Sequence, residues 1–264
     1  MKDARETWYD AANKVALTIV DVTSAAQDLA RGHLCGPTSA YFLTKALAAA
    51  ALLGSEMSEK DEVLSLQMKC KGPLGGFNVE CSAAGTLRGY TEKKILDDFD
   101  GLGAPDEARV IGERQIQITR LIPGQILSQG ISTTLNGYLA DSLQRKARIY
   151  LEAAVSDEVE ILEARGLMVE ILPDSPLQMA VEQLPDPKNL ATSSRTILKK
   201  LGFEHAELKK SEHLSFACTC SRERAEAMLN ALNEDERKSL PSTVDITCHM
   251  CGRTFTIPTV NFVK

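Results

Sequence analysis

The sequence predicts an α+β protein: a mixed sheet packed with helices first, a helical stretch next, and a small cysteine-rich unit last. Three observations carry that prediction. Apolar residues alternate with period two in several runs between Lys14 and Leu172, and alanine- and leucine-rich stretches lie between them. After Ile171-Leu-Pro-Asp-Ser-Pro176 the alternation stops. Four cysteines then crowd the end of the chain as Cys218-Thr-Cys220 and Cys248-His-Met-Cys251, with 27 residues between the pairs. Two close cysteine pairs joined by a spacer that can fold back read as one tetrahedral four-thiolate zinc site. The expected boundaries are an N-terminal α/β domain over 1–173, a helical linker over 174–213 and a zinc-binding C-terminal domain over 214–264.

Along the chain, Lys14 to Val20 reads as a strand, and Asp21 or Thr23 is placed to cap a helix running towards Arg31. Gly36-Pro37 breaks the chain before a second helix, rich in alanine and leucine, which ends near Gly54 in the role of a C′ glycine. Then comes the clearest hairpin. Leu64, Leu66, Met68 and Cys70 alternate on one face, Lys71 to Gly76 turns, and Phe77, Val79 and Cys81 alternate on the return. Pairing Cys70 with Phe77 sets Met68 against Val79 and Leu66 against Cys81. Further strands are expected at Thr86 to Thr91 and near 114–121, 147–154 and 166–172, with a helix around Thr133 to Lys146 covering the mixed sheet. Residues 177–213 carry short helical patterns interrupted by Pro185, Pro187 and Gly202, with no strand signal. That composition suits a weakly packed linker of low local stability. The last unit shows a helix opening at Ser221 as N-cap, a second short helix, and a β-hairpin around the Cys248–Cys251 knuckle.

The totals narrow the functional classes. Net charge is −6. From Asp174 to Ala217 there are six acidic and six basic residues, and the same balance holds from Cys218 to Lys264, so the excess lies in residues 1–173. No basic stripe of the kind that grips phosphate backbones is present. The start, Met1-Lys-Asp-Ala-Arg-Glu, lacks a basic segment followed by an apolar core, and the longest apolar stretch, Ala46 to Gly54, is about half of a membrane span. The protein is therefore expected to be cytoplasmic, its seven cysteines thiols or metal ligands rather than disulfides.

A unit as short as 214–264 cannot bury enough apolar surface to fold without a staple. Zinc would be that staple, since structural-site binding energies of about 10–16 kcal/mol appear as folding energy. The four cysteines are both metal ligands and oxidisable nucleophiles, so a permanent structural zinc and a redox role both remain open from the residues alone. His249 is an alternative ligand within the knuckle, although four thiolates already complete the tetrahedron. Cys70 and Cys81 read as core thiols, not directly opposite one another. Cys35 beside His33 resembles a nucleophile–base pair but lacks a recognisable third group. Lys71-Gly-Pro-Leu-Gly-Gly76 lacks the Gly-Lys-[Ser/Thr] ending of a phosphate loop and reads as a turn. Ser221-Arg-Glu-Arg224 reads as a helix cap and support for the thiolates rather than as a basic patch.

Phe216-Ala-Cys218-Thr-Cys220-Ser-Arg-Glu-Arg224 followed by Cys248-His-Met-Cys251-Gly252 resembles the signature of the redox-regulated thirty-three-kilodalton heat-shock chaperone family. Lys71-Gly-Pro-Leu-Gly75 resembles that family's hairpin, Leu87-Arg-Gly-Tyr90 its following strand, and Ala164-Arg-Gly-Leu-Met-Val-Glu-Ile-Leu-Pro173 the end of its substrate-handling domain. The chain departs from the family at Ser142-Leu-Gln144, where Ser-Glu-Gln is common, across Gln115 to Gly130, and in its short tail after the knuckle.

The resemblance implies an ATP-independent holdase that binds unfolding proteins under oxidative and heat stress, not an enzyme, with no catalytic residues. Cys218, Cys220, Cys248 and Cys251 would hold one zinc per chain when reduced. Oxidation would pair them as Cys218–Cys220 and Cys248–Cys251, release the metal, unfold the tail and free the linker. Implied partners are unfolding client proteins, the seventy-kilodalton heat-shock foldase system and, on activation, a second copy of the chain. The competing reading is a nucleic-acid-binding zinc ribbon with a permanent structural zinc, which the acid-leaning charge and few aromatics oppose. A zinc hydrolase would need an open coordination position, which four thiolates deny.

Overall fold

The computed structural model describes residues 2–177 and 179–261. Strands β1 (Ala4–Asp10), β2 (Val15–Asp21), β8 (Lys146–Val155), β9 (Ile161–Ile171) and β10 (Glu207–His213) form an antiparallel sheet in the order β10-β1-β2-β9-β8. A second sheet contains β3 (Val63–Cys70), β4 (Gly76–Ser82), β5 (Thr86–Thr91), β6 (Arg114–Ile122), β7 (Gln125–Ser132) and β11 (Ser215–Phe216), in the order β11-β5-β4-β3-β6-β7. Its β11–β5 pair is parallel. A small hairpin, β12 (Thr243–Thr247) with β13 (Thr254–Pro258), lies in the tail.

Helices α1 (Thr23–His33) and α2 (Pro37–Leu53) fill the space between the two large sheets. Of the 17 residues of α2, 14 are buried, because the helix packs on β9, β8 and β2 with one side and on β4, β5 and β3 with the other. A helix covered on both sides must be apolar all round, which accounts for its run of alanines and leucines. The shorter helices are α3 (Glu107–Ile111), α4 (Leu135–Gly137), α5 (Ser194–Leu201), α6 (Arg222–Asn230) and α7 (Glu234–Lys238).

The far face of the five-stranded sheet carries Trp8, Leu17, Ile19, Leu167, Val169 and Ile171, all buried. Their cover is the segment after β9. Val181, Leu184 and Leu190 come down from its irregular part, and Ile197, Leu198 and Leu201 from α5. Ser193 caps α5 by accepting from the Thr196 N–H, Gly202 ends it at φ 83°, and Arg195 lies 4.6 Å over the Trp8 ring. The segment expected to lack strands ends in β10, which pairs with β1. Its sequence, Glu-Leu-Lys-Lys-Ser-Glu-His, has no apolar alternation because both its faces are largely exposed.

Several local expectations need correction. The β3–β4 hairpin pairs Met68 with Phe77, Leu66 with Val79 and Leu64 with Cys81, two residues away from the expected register. The turn is held open from outside: Gly72 N–H donates to Ile111 O (2.8 Å) and Leu74 N–H to Val110 O (3.3 Å), on α3. A two-residue slip preserves the buried face, so alternation alone could not detect it. Helix α1 has no cap from its own residues beyond a bond from Thr23 N–H to Asp21; Asp3 accepts from Ser24 N–H at 2.8 Å and Ala25 N–H at 3.2 Å. Gly54 follows α2 but at φ −66°, not in the left-handed region. Space explains that glycine: a Cβ would lie 2.9 Å from Cys81 Sγ and 3.0 Å from Arg5 Nη1. The helix expected around Thr133 to Lys146 shrinks to α4 and a wide turn over Tyr138–Ser142. Strands β1 and β7 were not foreseen.

Candidate metal centre

Each half of the site is built locally. After β11 the chain presents Cys218 and Cys220, then enters α6, where Ser221 Oγ accepts from Arg224 N–H at 3.3 Å. The knuckle joins β12 to β13. Cys248 N–H donates to Arg253 O (2.9 Å), and Gly252 N–H donates back to Cys248 O (2.9 Å). These bonds close the knuckle between the two strands.

The turns meet so that the four sulfurs lie within 4.8 Å of one another. Cys218 Sγ is 3.8 Å from Cys248 Sγ, and Cys220 Sγ is 3.4 Å from Cys251 Sγ. Sulfurs at about 2.3 Å from a tetrahedral zinc stand about 3.8 Å apart, so the donor set and its spacing fit that ion. His249 is not part of the cluster; its ring meets Tyr90 edge-on at 5.4 Å.

The thiols are unequal. Burial pushes Cys218 up, but the Cys220 backbone N–H and the neighbouring thiols outweigh it and bring Cys218 down to about 7. Cys220 is raised, by burial first and then by its bonds to the other sulfurs, and burial likewise raises Cys251. The charge that Cys218 favours opposes ionisation of Cys220 beside it.

The cluster is not confined to the tail. Cys251 is 4% exposed and packs with the main core. Gly89 N–H on β5 donates to Met250 O at 3.0 Å, and the His33 Nε2–H at the end of α1 donates to Gly89 O at 2.8 Å. Burial first, and then the Lys94 ammonium, lower His33 to about 4, so its ring stays neutral. Gly252, at φ 74°, lets the knuckle touch α1: a Cβ there would meet Gly32 O at 2.0 Å. Arg88 on β5 donates to Glu80 Oε2 (2.7 Å) and to Thr219 Oγ1 (2.9 Å), between the first two cysteines; Arg224 donates to the same hydroxyl at 2.9 Å.

All four cysteines named from the sequence therefore converge. Arg88, Thr219, Gly32 and His33 were not singled out for this centre. Arg88 lies in the Leu87-Arg-Gly-Tyr90 motif and Thr219 inside the cysteine signature, but their contact with each other is tertiary, and nothing local linked Gly32 or His33 to the knuckle. Cys35 and His33 form no reactive pair: His33 is turned to Gly89, and burial raises the Cys35 thiol. Cys81 is fully buried beside Arg5, 4.0 Å from its Nη1. No disulfide joins any described cysteines.

Fold and site together define a two-sheet α+β protein whose four-thiol, metal-type cluster is wedged between its tail and its main body. The chain belongs to the Hsp33 family, whose profile matches residues 7–258. It is 26% identical over 261 residues to a protein named 33 kDa chaperonin from Symbiobacterium thermophilum, covering 88% of this chain and 86% of the relative. A protein of the same name from Lacticaseibacillus paracasei is 28% identical over 259 residues, covering 89% and 88%. The crystal structure of the Thermotoga maritima 33 kDa chaperonin superposes with a TM-score of 0.87 over 98% of this chain and 96% of that one. At 20% identity that likeness establishes the shared fold.

Proposed function

We propose that this Hsp33-family chain is a redox-regulated, ATP-independent holdase of the cytoplasm, which binds unfolding proteins when its cysteine cluster is oxidised. The observation that carries the reading is a physical linkage. The segment covering the apolar face that bears Trp8 runs through β10 and β11 directly into Cys218. A change at the sulfurs is therefore positioned to loosen the cover.

In the reduced state Cys218, Cys220, Cys248 and Cys251 would hold one zinc. The ion would supply cross-linking energy and keep its ligands deprotonated. Under peroxide, paired thiolates give up two electrons for each disulfide, and the peroxide is reduced to water. The pairs proposed are Cys218–Cys220 and Cys248–Cys251, and a disulfide sulfur no longer binds the metal as a thiolate does. The tail then loses its staple, and the linker loses its anchor beside β5. The face bearing Trp8, Leu17, Ile19 and Val169 becomes available to apolar client segments. Such binding lowers the concentration of free unfolded chain without chemistry, so no catalytic residue is assigned. The seventy-kilodalton foldase system would receive the clients, and a second copy would join on activation. The net charge of −6 supports this reading over a nucleic-acid-binding ribbon.

The test is an aggregation assay on reduced and peroxide-treated protein under mild heat, with metal release followed in parallel. About one zinc per chain should leave as suppression of aggregation begins. Protein purified under reducing conditions without zinc would sink the site. Client binding with all four thiols still reduced would replace the oxidative trigger by a thermal one.

A further inference from the structure

The two large sheets have four edges, and three are guarded. β10 carries Glu207, Lys209, Lys210 and Glu212. β8 carries Lys146, Arg148 and Glu152. β11 is two residues long and leads straight into the thiol cluster. Charge and brevity are the usual means by which native sheets avoid pairing with other chains.

The fourth edge is β7, Gln125-Ile-Leu-Ser-Gln-Gly-Ile-Ser132, which has neither a charge nor a proline. No charged residue occurs from Leu121 to Ala140, in a chain that is 25% charged. Ile126 is 61% exposed and Ile131 is 54% exposed. Among the described residues β7 pairs only with β6, so alternate backbone N–H and C=O groups face outward along its free side. A bulge at Leu127, between the Arg120–Ser128 and Leu121–Ile126 pairs, confines the regular edge to Ser128–Ser132. The inner face is closed at Gly130, where a Cβ would meet the Tyr138 ring at 2.4 Å. Access is from the edge itself.

We propose that this edge is a client-docking site, at which an extended, uncharged segment of an unfolding polypeptide adds as a further strand of the six-stranded sheet. The proposal rests on the holdase reading above and names a second surface for it, distant in kind from the apolar face beneath the linker. Charge matching selects the occupant. Segments released from a protein core are apolar, uncharged and of high β propensity, and a neutral edge presents them with no unpaired charge to bury. Backbone bonding also tolerates many sequences, as a holdase requires.

The test uses the full chain after peroxide and mild heat, with a fluorescent peptide of alternating valine and threonine and the same peptide N-methylated at alternate residues. N-methylation removes strand donors while keeping the side chains. The unmodified peptide should bind at least about tenfold more tightly than the N-methylated one. The Ile131→Lys variant should lose a comparable factor with unchanged thermal stability. A control at another exposed site, Leu162→Lys, should bind as the parent does; Leu162 is 57% exposed. Equal affinity of the parent chain for the two peptides would overturn the proposal, whatever the variants do. So would a dimer that pairs through β7 and leaves peptide binding intact. If the activated chain suppresses no aggregation and binds neither peptide, the holdase reading falls too. Aggregation suppressed without discrimination between the peptides removes the edge site alone.

Discussion

Arg5 Nε donates to Glu212 Oε2 at 3.0 Å, joining β1 to β10. The arginine side chain is 2% exposed, and its Nη1 also donates to Ala51 O at 3.0 Å, near the end of α2. One guanidinium thus ties β10 to the helix between the sheets. Replacing Glu212 by Ala would leave that cation buried without its carboxylate. The expected cost is about 2 kcal/mol, below that of a fully buried pair because Glu212 is partly exposed. Urea melts should show it, and client binding should begin at a lower temperature. An unchanged melt would remove the pair from the docking of the linker.

The same pair sets a pH dependence. Burial pushes the Glu212 carboxyl up, but the bonds from Arg5 and Lys210 prevail and hold it below the ordinary glutamate value. A depressed carboxylate contributes fully above its unfolded value, about 4.3, and loses that contribution as pH falls through its folded value. Docking of β10 should therefore be insensitive to this group near neutrality and weaken below about pH 4. In Glu212→Gln that component of the acid transition should be missing; its persistence would assign the transition to other groups.

Trp8 is the single tryptophan of the chain and is 5% exposed beneath α5 and the segment before it. Its fluorescence should shift to the red when oxidant and mild heat lift the cover, in step with metal release. If client binding develops while the emission stays that of a buried indole, the cover has not moved.

Leu198 on α5 is fully buried against the sheet. Leu198→Ala should weaken the docking of α5 by about 2–4 kcal/mol. The reduced, zinc-loaded variant should then suppress aggregation without peroxide. A variant as silent as the parent would place the barrier to activation outside the linker.

Arg88 steadies Thr219 between the first two cysteines and lies beside Cys218, which raises the guanidinium pKa further once the Glu80 bond and burial are counted. Arg88→Ala should let peroxide release zinc several-fold faster, as followed with a chromophoric chelator, with an effect on the order of 1 kcal/mol. Equal release rates would reduce Arg88 to a surface partner of Glu80.

What was legible in the sequence was local. The alternation of Leu64, Leu66 and Met68 marked β3, and Ser221 marked the start of α6, because periods and caps act over a few residues. The four cysteines were legible because ligand chemistry admits few residue types. The hairpin register was not: a turn bonded to α3 moved it by two positions while leaving every side chain on its face. β10 was missed because an exposed edge strand needs no apolar alternation, and β7 because its residues are exposed on both faces.

The sequence by itself determined the thiol set and the mixed-sheet class, since donor identity and hydrophobic period are written into short stretches. Only the tertiary structure decided that α5 and the segment before it lie on the Trp8 face, that Asp3 caps α1, and that α1 and β5 receive the knuckle. Those relationships join residues as far apart as Arg5 and Glu212, 207 positions along the chain. Buried charges and carbonyls find such partners only when the chain closes around them, and no local pattern records the choice.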